Sequence, residues 1–472
     1  MKRIFFATIL LVAPHLALAQ SPAPQPSRDP NARIDSPSEL DKLKDSCTDF
    51  SKFMDCAEEL FTGKPIHIAV GSIAPQNGFG SGVAYLGHKT TDNWRTSWDA
   101  DAVGSINGSW RAGVYLKLVH TPDKGIGVSF GTPPPLNKNL TELPEHSVIN
   151  IYAQSITLNK LTFFGLGPNS TAAGRSFYGM RETILGVSAV KPAYERLHLS
   201  FYGEMNGRFV NIRPSLNQPS PSIGLLYDDA TAPGLSNQPA YFQLGEGIRI
   251  RPDLFNDSLR LNYDLSYKQF LSPGNSNFTF ERLTADLSHQ IPIYKKTTRW
   301  LLPRDSNGPD DCSLAPASGH SECPQITRDL EGSINFRFFL STSMTPGGTL
   351  VPFYFQPTLG GSNIDGDQSL SSYQDFRFRA PNVMLFRQSF EHSLGKLPLG
   401  LAFMVDEAKL ALTRSDLGSN PWLHTYSAGL TLRAGGFPQV FLLFSWGGSE
   451  GTHLIANVNN SLLGASARPS LF

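Results

Sequence analysis

From Ile66 onward, apolar and polar residues alternate with a period of two in one segment after another. The clearest case runs from Leu259 to Lys268, where leucines and tyrosines alternate with Arg, Asn, Asp, Ser and Lys. The same pattern recurs at 333–340 and 426–433. Because successive side chains of a strand point to opposite faces, a period of two is typical of β-structure. The sequence therefore predicts an all-β fold.

Segments with this pattern are long and numerous. Many reach the roughly 9–11 residues that a tilted membrane strand needs, whereas strands of soluble proteins usually have about 5–6. An even number also suits a closed antiparallel barrel. We count sixteen predicted strands, near 66–73, 79–88, 94–104, 109–120, 148–157, 174–190, 195–208, 239–252, 257–271, 276–293, 328–341, 374–392, 398–408, 424–434, 438–447 and 452–460.

Alternation alone does not separate a soluble β-sandwich from a membrane barrel, because the two differ only in which face is wet. The first residues favour the membrane. Lys2 and Arg3 precede a short apolar run, and Ala17-Leu18-Ala19 resembles a cleavage site, so residues 1–19 are predicted to be a signal peptide. We therefore expect a closed sixteen-stranded transmembrane β-barrel over residues 65–460, surrounded by the lipids of a bacterial outer membrane. Glu246 argues against this, since it shares a face with Phe242 and Ile248.

Residues 20–64 precede the first predicted strand and form the periplasmic linker and helix of this interpretation. Ser36, Pro37 and Glu39 make a good helix start. Cys47 and Cys56 are too far apart along one straight helix to form a disulfide. Cys312 and Cys323 lie in a Gly/Pro/Ser-rich stretch, and we predict a local disulfide between them. Crossed bridges to the first two cysteines remain the alternative.

Four motifs occur in an order that resembles the BamA/TamA-type outer-membrane proteins of the bacterial surface antigen superfamily. They are the hairpin "IAVGSIAPQNGFGSGVAYLGH" (68–88), "LTFFGLGPNS" (161–170), "LLYDDATAPGLSNQPAYFQLG" (225–245) and "LGGSNIDGDQSLSSYQDFRFR" (359–379). This resemblance implies a barrel whose sixth extracellular loop folds back into the lumen. There, an arginine of a Leu/Val-Arg-Gly-Phe/Tyr motif meets an acidic residue on the following strands.

In this chain the matching tetrapeptide is Leu370-Ser371-Ser372-Tyr373, in which serines replace the Arg and Gly. The acidic counterpart is Asp406. If a strand starts at Gln374, then Asp375, Arg377 and Arg379 share its lumenal face, and the intervening phenylalanines face lipid. Arg377 or Arg379 is then a substitute partner for Asp406, and ordinary lumenal charge without a special partner is the alternative.

Strand parity, counted from a periplasmic start, orients the barrel. It places the connections 158–173, 209–238 and 342–373 outside and the insertion 294–327 inside. A long periplasmic insertion is unusual for such barrels, so either the insertion is real or the strand count is shifted before Arg328. Residues 461–472 are interpreted as a C-terminal tail.

The resemblance supports the fold more than the function, because the segment before the first strand is too short for a POTRA module, the family's substrate-receiving domain. Translocation or insertion of protein or lipid, with a periplasmic partner protein, is the leading hypothesis. A passive solute channel and a secreted β-sandwich binding protein are the alternatives.

The chain lacks the sequence motifs of common enzymes, and its net charge of zero does not suit nucleic acid. We expect no enzyme activity and no cofactor. Asn363, Asp365 and Asp367 begin a calcium-loop spacing, but Gln368 and Gln374 break it, so no metal is predicted.

Overall fold

The computed structural model describes residues 66–121, 146–215, 218, 220–255, 257–301, 323–395, 397–434, 437–458 and 468–471. Within them, sixteen long strands form one antiparallel sheet in which each strand pairs with its neighbours along the chain. The strands are β1 Ile66–Ser72, β2 Phe79–Thr90, β3 Trp94–Ser105, β4 Trp110–His120, β5 Val148–Phe163, β6 Ser176–Tyr194, β7 Leu199–Pro214, β8 Tyr241–Ile250, β9 Leu259–Leu271, β10 Phe280–Leu301, β11 Cys323–Met344, β12 Asn382–Ser393, β13 Leu399–Ala411, β14 Leu423–Ala434, β15 Phe437–Gly448 and β16 Gly451–Val458. A two-residue strand, Asp253–Leu254, also pairs with β9. The prediction of a large antiparallel all-β sheet is confirmed.

Helical structure is sparse in this part of the chain. One short helix, α1 Ile223–Leu226, lies between β7 and β8, and isolated 3-10 turns occur in other connections. Among the described residues, no helix is long and apolar enough to cross a membrane. The predicted signal peptide, the helix after Ser36, and Cys47, Cys56 and Cys312 lie outside the described residues. Of Cys323 only the backbone is described, so both disulfide arrangements stay predictions.

Tight turns at one end of the sheet have the residues that such turns require. Between β3 and β4, the amide of Ser105 donates to the carbonyl of Ser109 at 2.8 Å. Gly108 adopts a φ of +80° in this turn, a conformation that costs glycine little and other residues more. The Asn107-Gly108 pair therefore fixes the hairpin and its register.

The connections 164–175, 215–240 and 345–381 all leave the same end of the sheet, as the count of strands predicts. We call this end the loop end. The opposite end carries a long hairpin made by β10 and β11, which pair from Glu281–Met344 to Leu301–Cys323. β9 pairs with β10 only as far as Gln290, and β12 pairs with β11 only as far as Gly332. The insertion therefore extends a hairpin, and the strand count is not shifted before Arg328.

The apolar side chains of the sheet lie on its exposed face and the polar ones on its buried face, the reverse of a soluble sandwich. Along β7, Phe201, Met205 and Phe209 are 51%, 45% and 49% exposed, whereas Asn206 and Arg208 on the other face are 2% and 1% exposed. Large exposed hydrophobic residues occur on the same outer face of most strands. A soluble sandwich buries its apolar face. Here charged side chains are buried and apolar ones are exposed, which is typical of a membrane strand.

Glu246 lies on this outer face, as its position in the alternation predicts. It is exposed, like Phe242 and Ile248 on either side of it, and pairs across strands with Gly203 and Tyr267. This carboxylate is a local exception to the apolar character of the outer face.

The sheet curves around the connection between β11 and β12, residues 345–381, which we call the central segment. Its residues contact the inner faces of strands from both halves of the sheet, including β5, β6, β9 and β13. Among the described residues, no backbone pairing joins β1 to β16. The strand predicted at 374–392 begins only at Asn382, because Phe376 adopts a φ of +59° that interrupts the pleat.

Candidate functional site

The central segment enters the interior through an aromatic cluster. Phe353 is fully buried, and its ring lies 5.2 Å from those of Phe163 and Tyr178, measured between centroids. Phe355 makes the matching contacts on the other side, with its ring 5.0 Å from that of Tyr241 and 5.4 Å from that of Phe270. Edge-to-face pairs at these distances are favourable beyond the area that they bury. These side chains fix the central segment to β5, β6, β8 and β9.

A second contact joins the central segment to Asp406 on β13. The amide of Leu370 donates to Oδ2 of Asp406 at 2.7 Å. Arg387 on β12, directly opposite Asp406 in the sheet, donates from Nε to Oδ1 at 2.6 Å and from Nη2 to Oδ2 at 2.8 Å. Nη2 of Arg387 also reaches the carbonyl of Gln368 at 2.6 Å. The buried carboxylate thus connects the tetrapeptide 370–373 to two strands.

The rest of the tetrapeptide packs against the following strands. The hydroxyls of Ser372 and Thr425 are 2.7 Å apart, and both side chains are buried. The side chain of Ser371 is also buried, and its Oγ has no partner among the described residues. The ring of Tyr373 lies against Gly448, where a Cβ atom would come within 2.6 Å of the ring. Leu370 keeps a φ of +45°, which costs a non-glycine residue energy and needs support from its surroundings.

The predicted pairing of Arg377 or Arg379 with Asp406 is wrong. Arg377 forms an ion pair with Glu450 in the turn between β15 and β16, and it also donates to Ser170 in the 164–175 connection. Arg379 donates to the carbonyl of Phe353 at 2.6 Å and to the hydroxyl of Tyr178 at 3.1 Å. The reason is that β12 begins only at Asn382, so that Arg387, and not Arg377 or Arg379, lies opposite Asp406 in the sheet.

One related expectation changes with it. Phe376 and Phe378 are 2% and 4% exposed inside the sheet, so they do not face lipid. Asp375 does not pair with an arginine among its described contacts; its carboxylate accepts from the amide of Ser362 at 2.8 Å, and its carbonyl accepts from Thr162. Asp375 therefore stabilises the turn of the central segment and joins it to β5.

Arg387 and Glu450 are the interior residues that sequence reasoning missed. Arg387 is separated from Asp406 by 19 positions, and only the register of β12 against β13 brings the two together. The detectable signal was that Arg387 lies on the polar side of an alternating segment. Glu450 follows two glycines in a turn, and nothing in its neighbourhood marks it as a partner of Arg377.

Below the aromatic cluster, the inner wall carries a network of buried charges. Arg208 donates to Glu182 at 2.8 Å, and both side chains are about 1% exposed. Arg208 also donates to Gln243, whose amide nitrogen donates to Glu204. Glu204 in turn pairs with Lys268 at 3.0 Å. Charges that are buried and mutually paired resist rearrangement, because the loss of one partner strands the other in a low-dielectric interior.

Residues Arg468–Leu471 of the C-terminal tail reach this network. Nη2 of Arg468 donates to Oδ2 of Asp101 at 2.8 Å, and Nη2 of Arg208 donates to the carbonyl of Ser470 at 3.0 Å. Leu471 is 6% exposed and belongs to the apolar core. Residues 468–471 are therefore held inside the sheet by contacts with β3 and β7.

Asp365 of the central segment binds the same tail. Its carboxylate accepts from the hydroxyl of Ser470 at 2.9 Å and from the amide of Leu471 at 3.2 Å. Desolvation by the surrounding protein raises the pKa of Asp365, although its side chain is exposed to the interior space, and these two hydrogen bonds partly oppose the effect. Asn363 and Asp367 bond to each other's backbone in a tight turn.

Towards the end of the sheet away from the loops, the interior is open. A cavity of about 640 Å³ lies there, with Lys117, Glu204, Arg249 and Lys268 in its wall and Ser470 of the tail at its edge. The interior is thus packed around the aromatic cluster, whereas the end away from the loops is polar and accessible.

No family model matches the chain, and no curated protein matches it. Among solved structures, it is similar to BamA from Haemophilus ducreyi lacking POTRA domains 1–3, with 13% identity and a TM-score of 0.42 over 83% of this chain and 66% of that one. It is also similar to CdiB from Escherichia coli, with 12% identity and a TM-score of 0.45 over 83% of this chain and 61% of that one.

A further similar structure is OccK5 (OpdH) from Pseudomonas aeruginosa, with 9% identity and a TM-score of 0.27 over 80% of this chain and 89% of that one. The chain spans about two thirds or less of the length of the BamA and CdiB structures. TM-scores below 0.5 carry no argument about function, so the proposal below rests on the contacts inside the sheet.

Proposed function

We propose that the chain is a bacterial outer-membrane protein whose sixteen strands close into a barrel with both termini in the periplasm. The inverted burial of β7 and its neighbours supports the membrane location, since a chain in water would not expose phenylalanines and bury arginines. Closure is supported by a cavity of about 480 Å³ that Gln76, after β1, and residues 453–456 of β16 line together with the central segment. This shared lining supports a position of the β1–β2 turn near the β16 edge of the sheet.

We further propose that this barrel translocates or inserts protein or lipid, together with a periplasmic partner, and is not an open solute channel. The observation that carries this proposal is the filling of the loop-end half of the interior by the central segment. Sixteen strands leave a wide lumen when nothing occupies it. Here Phe353, Tyr373 and Arg377 are 0%, 6% and 4% exposed, so the central segment occupies much of this half of the interior. The open, charged cavity at the other end is where a periplasmic partner would deliver a substrate.

Conductance of the purified protein in a planar bilayer tests the exclusion of a solute channel. We expect the wild-type chain to give a small, intermittent current. We expect a variant with residues 350–378 replaced by a short Gly/Ser linker to give a large, stable one. Heat-modifiable migration in a gel must first show that the variant is folded. A large, stable current from the wild-type protein would establish the passive channel instead.

Proteoliposomes test the transport activity directly. We expect the protein to accelerate either the insertion of a urea-unfolded outer-membrane protein or the movement of a fluorescent phospholipid between leaflets. Empty vesicles and vesicles with an unrelated solute channel are the controls. Acceleration of neither process, or recovery of the native protein in a soluble periplasmic fraction, would refute the proposal.

A further inference from the structure

The outer face of the sheet carries a row of polar and basic residues where β4–β7 meet the loop end. Trp110, Thr157, Arg181 and Asn211 are directly paired across these four strands. Residues that are directly paired project to the same side of a sheet. Arg213 lies on the same face two residues after Asn211, at the loop end of β7. Because Arg181 and Arg213 belong to this row, two positive charges lie together on the outer wall.

Neither arginine is neutralised by the protein. Among the described residues, no carboxylate forms an ion pair with Arg181 or Arg213. An uncompensated cluster of this kind attracts an anion.

The contacts of Arg181 hold its guanidinium in one orientation. Nε donates to the hydroxyl of Thr157 at 3.2 Å, and the guanidinium lies 5.8 Å from the ring centroid of Trp110. Nη2 of Arg213 donates to Oδ1 of Asn159 at 3.2 Å. Among the described residues, no hydrogen-bond partner contacts Nη1 or Nη2 of Arg181, so both nitrogens can donate to a ligand. A guanidinium fork matches phosphate oxygens well.

An apolar band begins directly beside this row on the same face. Phe209, two residues from Asn211, is 49% exposed, and Leu185, four residues from Arg181, is 48% exposed. Val114 on β4 continues the band and is 57% exposed. Four residues of a strand span about 13 Å. Positive charge and an aromatic ring at the edge of an apolar surface match the arrangement of phosphate and acyl chains in a lipid.

We propose that Arg181 and Arg213 bind the phosphate of an anionic lipid headgroup in the outer leaflet, with the acyl chains of that lipid on the apolar band around Leu185 and Phe209. This inference rests on the proposed membrane location, which places the loop end outside. The row then anchors the barrel at a fixed depth and holds one lipid beside β5–β7.

Native mass spectrometry of the full chain in detergent tests the inference with defined probes. Diphosphoryl lipid A, its dephosphorylated form and inorganic phosphate are titrated separately. We expect the wild-type protein to bind the phosphorylated lipid on the order of tenfold more tightly than the dephosphorylated one. We expect R181Q/R213Q to lose that preference. Equal binding of both lipids by the wild type would overturn the inference, and so would inorganic phosphate that binds alone as well as the lipid does.

Lys191 provides the matched control, because it is an exposed cation on the same face of β6, ten residues from Arg181 and at the opposite end of the strand. K191Q should keep the preference, and a loss equal to that of R181Q/R213Q would show that only total charge matters. If R181Q/R213Q does not fold, the R181K/R213K variant replaces it. That variant should weaken but retain the preference, and an unchanged preference would overturn the role of the guanidinium fork. If the native protein is found in a soluble fraction, the proposed function is wrong. If the folded wild-type protein does not distinguish phosphorylated from dephosphorylated lipid, only this inference is wrong.

Discussion

Replacing Asp406 by Asn is expected to release the central segment locally without unfolding the sheet. The carboxylate is 1% exposed and accepts from Arg387 and from the amide of Leu370. Removing one partner of a fully buried ion pair costs roughly 3–5 kcal/mol. We expect about 2–3 kcal/mol here, since Arg387 is 15% exposed and keeps its bond to the carbonyl of Gln368.

Hydrogen exchange measured by mass spectrometry on the protein in detergent provides the assay. The free energy above corresponds to roughly 30- to 140-fold faster exchange in peptides that cover 368–373. D286N is the matched control, because Asp286 also accepts two hydrogen bonds from an arginine, Arg337, on the adjacent strand. Both side chains of that pair are 30% exposed, and such pairs contribute about 0–1 kcal/mol. Equal acceleration of 368–373 in both variants, or none in D406N, would refute the reasoning.

Three further results are expected. G448A places a Cβ atom 2.6 Å from the tyrosine ring of the central segment and should lower stability by about 1–3 kcal/mol. G71A, with open space at its Cβ, is the control, and equal thermal midpoints by heat-modifiable migration would contradict the prediction. Desolvation raises the pKa of Asp365, and because its side chain is exposed, the folded form holds a proton only slightly more tightly than the unfolded one. Stability should therefore fall as the pH rises above the ordinary value of 3.8, and D365N should remove that part of the pH dependence of the unfolding midpoint. If the unfolding midpoint of D365N depends on pH in the same way as that of the wild type, this prediction is wrong. Non-reducing peptide mapping should recover a peptide that links Cys312 to Cys323, and a cross-link from either of them to an N-terminal cysteine would show the alternative pairing.

The sheet was predictable from the sequence because each strand carries its own alternation. β9 illustrates this, since its predicted range 257–271 differs by two residues from the observed Leu259–Leu271. β12 shows the limit. Its predicted start at Gln374 assumed that Asp-Phe-Arg-Phe-Arg continues the strand, but the positive φ of Phe376 depends on contacts with distant strands. A pattern of alternating residues does not contain that information.

The contacts inside the sheet were less predictable from the sequence than the strands themselves. A family resemblance placed Asp406 near the tetrapeptide 370–373, and the amide of Leu370 donates to its carboxylate. Its true side-chain partner, Arg387, follows from the β12–β13 register, and register was not assigned from sequence. The docking of Ser470 on Arg208 joins positions 262 residues apart, and no local pattern marks either residue for that contact.

The contacts of the central segment impose an order on biogenesis. Thr162 bonds to residue 375 and Ser170 to residue 377, which are separations of 213 and 207 positions. Contacts between such distant positions form late, since the intervening chain must first be brought together. While the chain has been made only as far as β11, Phe163 and Tyr178 have no Phe353 to cover them. A chain that extends only to β11 therefore exposes these aromatic side chains, and such surfaces are prone to aggregate until the rest of the sheet is present.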